Sequence, residues 1–181
     1  MRLISILLVG IFTQSCVSIS STQSTPETIF VRAIDGDTYV FQADGTAKTI
    51  RLYGVDCPES NQPGGKEATA YATTLLQQGV RGVTQVSTDH YGRTVATVEL
   101  VNGGSLSEEM IASGNGWWYR AYATKEDRLE SLEVEARSAR RCLWSDNMPI
   151  APWEWRKGKR VEPPVNLDAV DDKESKSFLD E

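Results

Sequence analysis

The sequence predicts an α+β fold: a five-stranded OB-type β-barrel with three helices packed outside it. Three observations carry this. Five short β-type runs are bounded by turn residues, a two-residue turn signal joins the second run to the third, and a helix-type apolar spacing separates the third run from the fourth.

The first strands are Ile29 to Ile34, Thr38 to Ala43 and Lys48 to Tyr53. Asp44-Gly45 lies between the second and third, and a primed turn needs positive φ at both central positions, so these two strands form a hairpin. Gly54 ends the third run, and Pro58 with Pro63-Gly64-Gly65 marks a long loop. Lys66 to Gln78 then carries Ala68, Tyr71, Ala72, Leu75 and Leu76 at i, i+3, i+4 spacing, which gives a helix one buried face before Gly79 stops it. Val80 to Ser87 and Thr94 to Val101 are the last two strands, flanking the turn Thr88 to Arg93. Ser105 to Ser113 is a short helix ended by Gly114, and Glu126 to Arg141 is a longer one bearing Leu129, Leu132, Val134 and Ala136. No internal repeat interrupts this order.

A chain of 181 residues, 40% hydrophobic and 24% charged, holds one ordinary core with trimmings at its ends. Residues 1–20 place Arg2 before an apolar run from Leu3 to Phe12 and then small polar residues, the order of a secretory signal, and too short for a permanent membrane span. Cys16 sits where a bacterial lipoprotein signal places its lipidated cysteine, although Thr13-Gln14 replaces the apolar and small residues expected before it. Simple cleavage and a lipid anchor both stay open. Either makes the protein exported: periplasmic, secreted or anchored to the bacterial envelope.

Residues 160–181 read as an acidic disordered tail with too few apolar groups to offset ordering entropy. From Val161 onward seven acids and two lysines supply −5 of the formal −6, so the body is nearly neutral and a polyanionic substrate is not excluded. Cys57 and Cys142 remain for the folded body, and an oxidising compartment would let them pair if their Cα atoms approach. A zinc site is disfavoured, because there is no Cys-x-x-Cys and His90 is the only histidine.

Charged residues then gather on paper. Asp35 and Asp37 lie at the start of strand two, and Asp56 and Glu59 lie just after strand three, so an antiparallel hairpin brings four carboxylates to one rim. Crowded carboxylates repel unless a cation sits between them, and a hard divalent ion takes oxygen ligands of this kind. Arg51 on strand three and Arg93 in the turn Asp89 to Arg93 offer planar forks that match phosphate oxygens. By analogy with arginine fingers, each is worth about 10³ to 10⁵ in rate. With a single histidine, a carboxylate is the base by elimination, and Glu59 in that role contributes about 10² to 10⁴.

Each motif also has a plainer reading. Asp-Gly-Asp is most often a turn, a lone strand arginine is usually solvated, and Asp-x-Pro-Glu is commonly a helix entrance. One geometric step stays open too: a two-residue turn at Asp44-Gly45 sets Thr38, not Asp37, opposite Arg51, so a bulge or strong twist near Gly36 would have to bring Asp37 and Arg51 together.

The segments AIDGDT (Ala33 to Thr38), RLYGVDCPE (Arg51 to Glu59), GKEA (Gly65 to Ala68) and DHYGR (Asp89 to Arg93) resemble those of the thermonuclease, or staphylococcal-nuclease-like, family in order and approximate spacing, over roughly residues 28–156. The resemblance implies a calcium-dependent nuclease acting on DNA and RNA. It implies calcium bound through Asp37, Asp56 and the main-chain oxygen of Cys57, catalysis by Arg51, Glu59 and Arg93, and Asp35 in the outer shell. Attack of water in line with the 5′-oxygen would leave 3′-phosphates and 5′-hydroxyls. Tyr91 matches a tyrosine that contacts a substrate phosphate, and Tyr122 lies among aromatics near the nucleotide base. Trp117 and Trp118 have core packing as an equal alternative, whereas Trp144, Trp153 and Trp155 are expected to pack the last helix. Departures are His90 where the best-known member has lysine, Cys57 in place of threonine, and a shorter loop from Ser60 to Gly65. Nothing requires more than a monomer. The rival readings are an inactive OB-fold nucleic-acid-binding module, which usually loses such charged positions, and a calcium-binding envelope protein, which would not explain both arginines.

Overall fold

In the computed structural model, residues 28–160 are described. The stretch read as a secretory signal, with Cys16, and the acidic residues from 161 onward lie outside the described residues.

The chain runs β1 (Ile29–Ala33), β2 (Thr38–Ala43), β3 (Thr46–Leu52), β4 (Val55–Asp56), α1 (Gly65–Gln78), β5 (Val80–Thr88), β6 (Thr94–Leu100), α2 (Leu106–Ala112), β7 (Trp117–Trp118) and α3 (Asp127–Ser138). A 3-10 turn, Cys142–Ser145, and a short α4, Pro152–Arg156, follow. The hairpin forms as its turn requires: Asp44 and Gly45 take φ of 50° and 74°, and Ala43 pairs with Thr46. That fixes the register Thr38↔Arg51.

The five long strands make one sheet in the order β1-β2-β3-β6-β5, antiparallel except where β3 runs parallel to β6. This is the strand order of an OB-type fold, but the two edge strands β1 and β5 do not pair with each other, so the sheet curls without closing into a barrel. Instead α1 packs against β1. Alternation along β2 and β6 turns Tyr39, Phe41, Ala96, Val98 and Leu100 inward, where they meet Ala68, Ala72 and Leu76 of α1 and Leu106, Met110 and Ile111 of α2. Trp118 joins that cluster, while Trp117, Ala136 and Trp144 form a second, smaller one. The aromatic pair Trp117-Trp118 is therefore core.

Two details differ from the sequence-based expectation, and a third answers a question the sequence left open. The third helix stops at Ser138, where Arg140 takes φ of 52° and turns the chain away. The two-residue strands β4 and β7 pair with each other, Val55↔Trp118 and Asp56↔Trp117. Cys57 and Cys142 are both free, the first buried and the second exposed.

Candidate active site

One cleft of about 570 Å³ is lined by every residue the sequence singled out for chemistry: Asp35, Asp37, Arg51, Asp56, Cys57, Glu59, Tyr91, Arg93 and Tyr122. Three pairings assemble it. The β2–β3 hairpin puts the start of β2 beside the end of β3, the parallel pairing of β6 with β3 (Ile50↔Thr94, Arg51↔Val95) sets the start of β6 there too, and β4–β7 fixes Asp56.

The open geometric step resolves without a bulge near Gly36; the shift in β1–β2 lies between Phe30 and Arg32. Asp37 lies in the bend before β2, so its side chain is not bound by strand alternation, and the Arg51 guanidinium reaches it, Nη1 to Oδ1 at 3.1 Å. The same guanidinium donates from Nη2 to Asp56 Oδ1 at 2.9 Å and from Nη1 to the Val55 carbonyl at 2.7 Å. Arg51 therefore spans both acids. Cys57 N–H donates to Asp37 Oδ2 at 2.6 Å, tying the loop after β4 to the start of β2, while the Cys57 side chain is part of the core. Asp35 Oδ1 accepts from the Asp37 backbone N–H at 3.1 Å, a supporting place behind Asp37.

On the opposite wall Asp89 organises the β5–β6 turn. Its carboxylate accepts from Tyr91 N–H and Arg93 N–H and from Arg93 Nε at 2.7 Å. Burial alone would raise the Asp89 carboxyl, but the Arg93 hydrogen bonds outweigh it and hold the group below its ordinary value. With Nε occupied, the two terminal nitrogens of Arg93 have no hydrogen-bond partner among the described residues. Tyr91 is 74% exposed, its ring 5.4 Å from the Arg93 guanidinium and 3.8 Å from the His90 ring, tilted at 42° to it. Tyr122 is also exposed, 4.9 Å from Tyr119.

Similarity to known proteins falls in the same place. A family model for staphylococcal nuclease homologues matches residues 49–146. The chain is 36% identical over 129 residues to an uncharacterized endonuclease of Escherichia coli, covering 71% of this chain and 84% of that protein. It is 33% identical over 142 residues to a micrococcal nuclease of Shigella flexneri, covering 72% and 80%. This chain belongs to the staphylococcal nuclease family. A plant relative, staphylococcal-like nuclease CAN1 of Arabidopsis thaliana, is 41% identical over 111 residues, covering 61% of this chain and 34% of the relative. The chain thus spans about a third of the length of that staphylococcal nuclease homologue.

The electrostatics of this staphylococcal nuclease cleft are those of acids needing positive charge. Burial pushes the Asp37 carboxyl up to about 7; Arg51 opposes this, and Asp35 and Asp56 add to it. No group of three Asp, Glu, His or Cys side chains gathers as a ligand set among the described residues. Two buried carboxylates, Asp37 and Asp56, with a neighbouring backbone oxygen fit a hard cation that keeps much of its water.

Sequence reasoning missed Arg156. It reaches Asp56 with Nη2 to Oδ2 at 2.7 Å and Glu59 with Nη1 to Oε1 at 2.7 Å. Both hydrogen bonds hold the Arg156 guanidinium above its ordinary value, although burial acts the other way. Asp56 and Arg156 are 100 positions apart, so no local pattern links them; the cue was a basic side chain on the Pro-Trp-Glu-Trp-Arg segment, read only for its tryptophans. Trp144 packs as expected, and Trp153 packs against the same small cluster while stacking on Tyr119 with ring centroids 6.0 Å apart; Trp155 Nε1 donates to Asn61 Oδ1 at 3.2 Å.

Proposed function

We propose that this chain is a nuclease that hydrolyses phosphodiester bonds of DNA and RNA with calcium, acting outside the cytoplasm as a monomer. The observation that carries the reading is the convergence of two buried acids, two arginines and a half-buried glutamate on one cleft. Family membership supports the same chemistry.

In this reading Asp37, Asp56 and the Cys57 carbonyl hold the calcium, with Asp35 steadying Asp37 from behind. A hard divalent cation at such a site supplies charge neutralisation to the phosphoryl group and a template for its orientation. Arg93 offers its free terminal nitrogens to phosphate oxygens. Arg51 has its Nη1 committed to Asp37 and the Leu52 and Val55 carbonyls and one Nη2–H to Asp56, and leaves Nε–H and the other Nη2–H. Glu59 Oε1 is held by Arg156, so Oε2 is the atom that takes the proton from the attacking water. The pentacoordinate phosphorus then collapses by expelling the 5′-oxygen, which takes a proton from solvent water to become a 5′-hydroxyl and leaves the phosphate on the 3′ side. Tyr91 flanks that phosphate beside Arg93, and Tyr122 offers an exposed ring to a base, a contact tolerant of sequence. The leader containing Cys16 supports export, with cleavage or a lipid anchor as the two forms.

The test is degradation of single-stranded DNA by the purified chain with calcium and after its chelation, with end-group analysis. Cleavage should need calcium and leave 3′-phosphates, and Glu59→Gln should slow turnover by about 10² or more while calcium still binds. Calcium-independent cleavage, binding without cleavage, or a fully active Glu59→Gln rejects the reading.

A further inference from the structure

Glu59 stands on the loop between β4 and α1, with its side chain 35% exposed. A glutamate in that position would have to lose rotamer freedom each time it aimed at a water, unless the protein had already fixed it. Two ties do so, and both come from the segment Ile150 to Arg156. Gln62 Oε1 accepts from Glu59 N–H at 3.2 Å while Gln62 Nε2 donates to the Ile150 carbonyl at 2.6 Å, so the backbone of Glu59 is bound to the approach to α4. The side chain is bound by Arg156 at Oε1, and the same guanidinium grips both oxygens of Asp56 at 3.2 and 2.7 Å.

That segment is itself anchored. Pro152 opens α4 and is buried, Trp153 lies nearly parallel to Tyr119 at 10°, and Trp155 holds Asn61. Arg156 is therefore delivered to the cleft by a rigid strap rather than by a free tail. We propose that Arg156 is a positioning residue of the cleavage reaction: its planar fork holds Glu59 in fixed relation to Asp56, so that Oε2 of Glu59 points its lone pair at one place in the cleft. This rests on the reading of Glu59 as the base. Outer partners that orient a reacting carboxylate are worth about 10- to 100-fold in activity. Lysine, a single point of charge, cannot hold two carboxylates at once in this geometry.

The experiment is a double-mutant cycle on the full chain with calcium and single-stranded DNA, using Arg156→Ala, Glu59→Gln and both together. Arg156→Ala should lower kcat by about 10- to 100-fold with KM nearly unchanged, Arg156→Lys should recover only part, and Arg156→Ala should cost little further in the Glu59→Gln background. In calcium-free protein, hydrogen exchange over residues 57–64 should be faster in Arg156→Ala. If that variant does not fold, Arg156→Lys carries the same cycle. A slow Glu59→Gln beside an unimpaired Arg156→Ala overturns this inference and leaves the proposed function standing. Additive losses, or unchanged exchange, also overturn it, because Arg156 would then act without Glu59. An active Glu59→Gln removes the base itself, and the inference falls with it.

Discussion

At the scale of residues, the centre is a problem of buried negative charge solved by guanidinium groups. Asp37 shows it most clearly, because its carboxyl titrates near 7 in the fold against an ordinary value of 3.8. The folded state therefore holds the proton more tightly than the unfolded chain does. Its contribution to stability is fully present below about pH 4 and is lost as pH rises through about 7. With calcium chelated, Asp37→Asn should gain in melting temperature relative to the parent between pH 5 and pH 8, and added calcium should narrow the gap. A difference that stays constant with pH would show that Asp37 is not strained by burial. The charged types and their spacing were legible here, down to Thr38 opposite Arg51. What was not legible was how Asp37 meets Arg51, because that depends on a bend whose side-chain direction no period-two rule sets.

Among the elements, the shortest ones do the positioning. β4 and β7 contribute two residues each, yet they hold Asp56, and β7 is tied back to α3 by Glu133. That carboxylate is only 2% exposed and accepts from Trp118 N–H at 3.1 Å, with Arg120 and Arg137 at 3.3 and 3.4 Å. Glu133→Ala leaves a buried N–H without its partner, and should cost about 1 to 3 kcal/mol in urea unfolding. Val134→Ala beside it, on the exposed face, should stay within about 0.5 kcal/mol. Equal losses would contradict the role given to Glu133. Gly65 belongs to the same scale: a Cβ there would collide with the Glu59 carbonyl, so α1 starts against the loop that carries Glu59 only because the side chain is missing. Gly65→Ala should therefore reduce turnover as well as stability, the latter by about 1 to 3 kcal/mol, as overpacking does; full turnover would place Glu59 independently of α1. Long elements were readable from apolar spacing, but two-residue strands and a five-residue helix are too short to show a period. Their pairing is decided by tertiary contacts.

Across the whole molecule, one parallel pairing makes the cleft possible. The crossover through α1 and β5 returns the chain so that β6 lies alongside β3, and this carries Arg93 to the rim already occupied by Arg51 and Asp56. The strand and helix order was readable from the chain, whereas the unclosed edge between β1 and β5 was not, since closure depends on curvature and on where α1 settles. Arg156 was hidden for a related reason: it closes the cleft from the far end of the chain. All of this converges on one spatial claim, that a cation and a phosphate share the cleft. Diffraction from crystals containing calcium and a short single-stranded oligonucleotide locates both directly. The anomalous peak should fall between Asp37 and Asp56, with a phosphate facing Arg51 and Arg93; a peak elsewhere, or an oligonucleotide bound outside this cleft, would contradict the account.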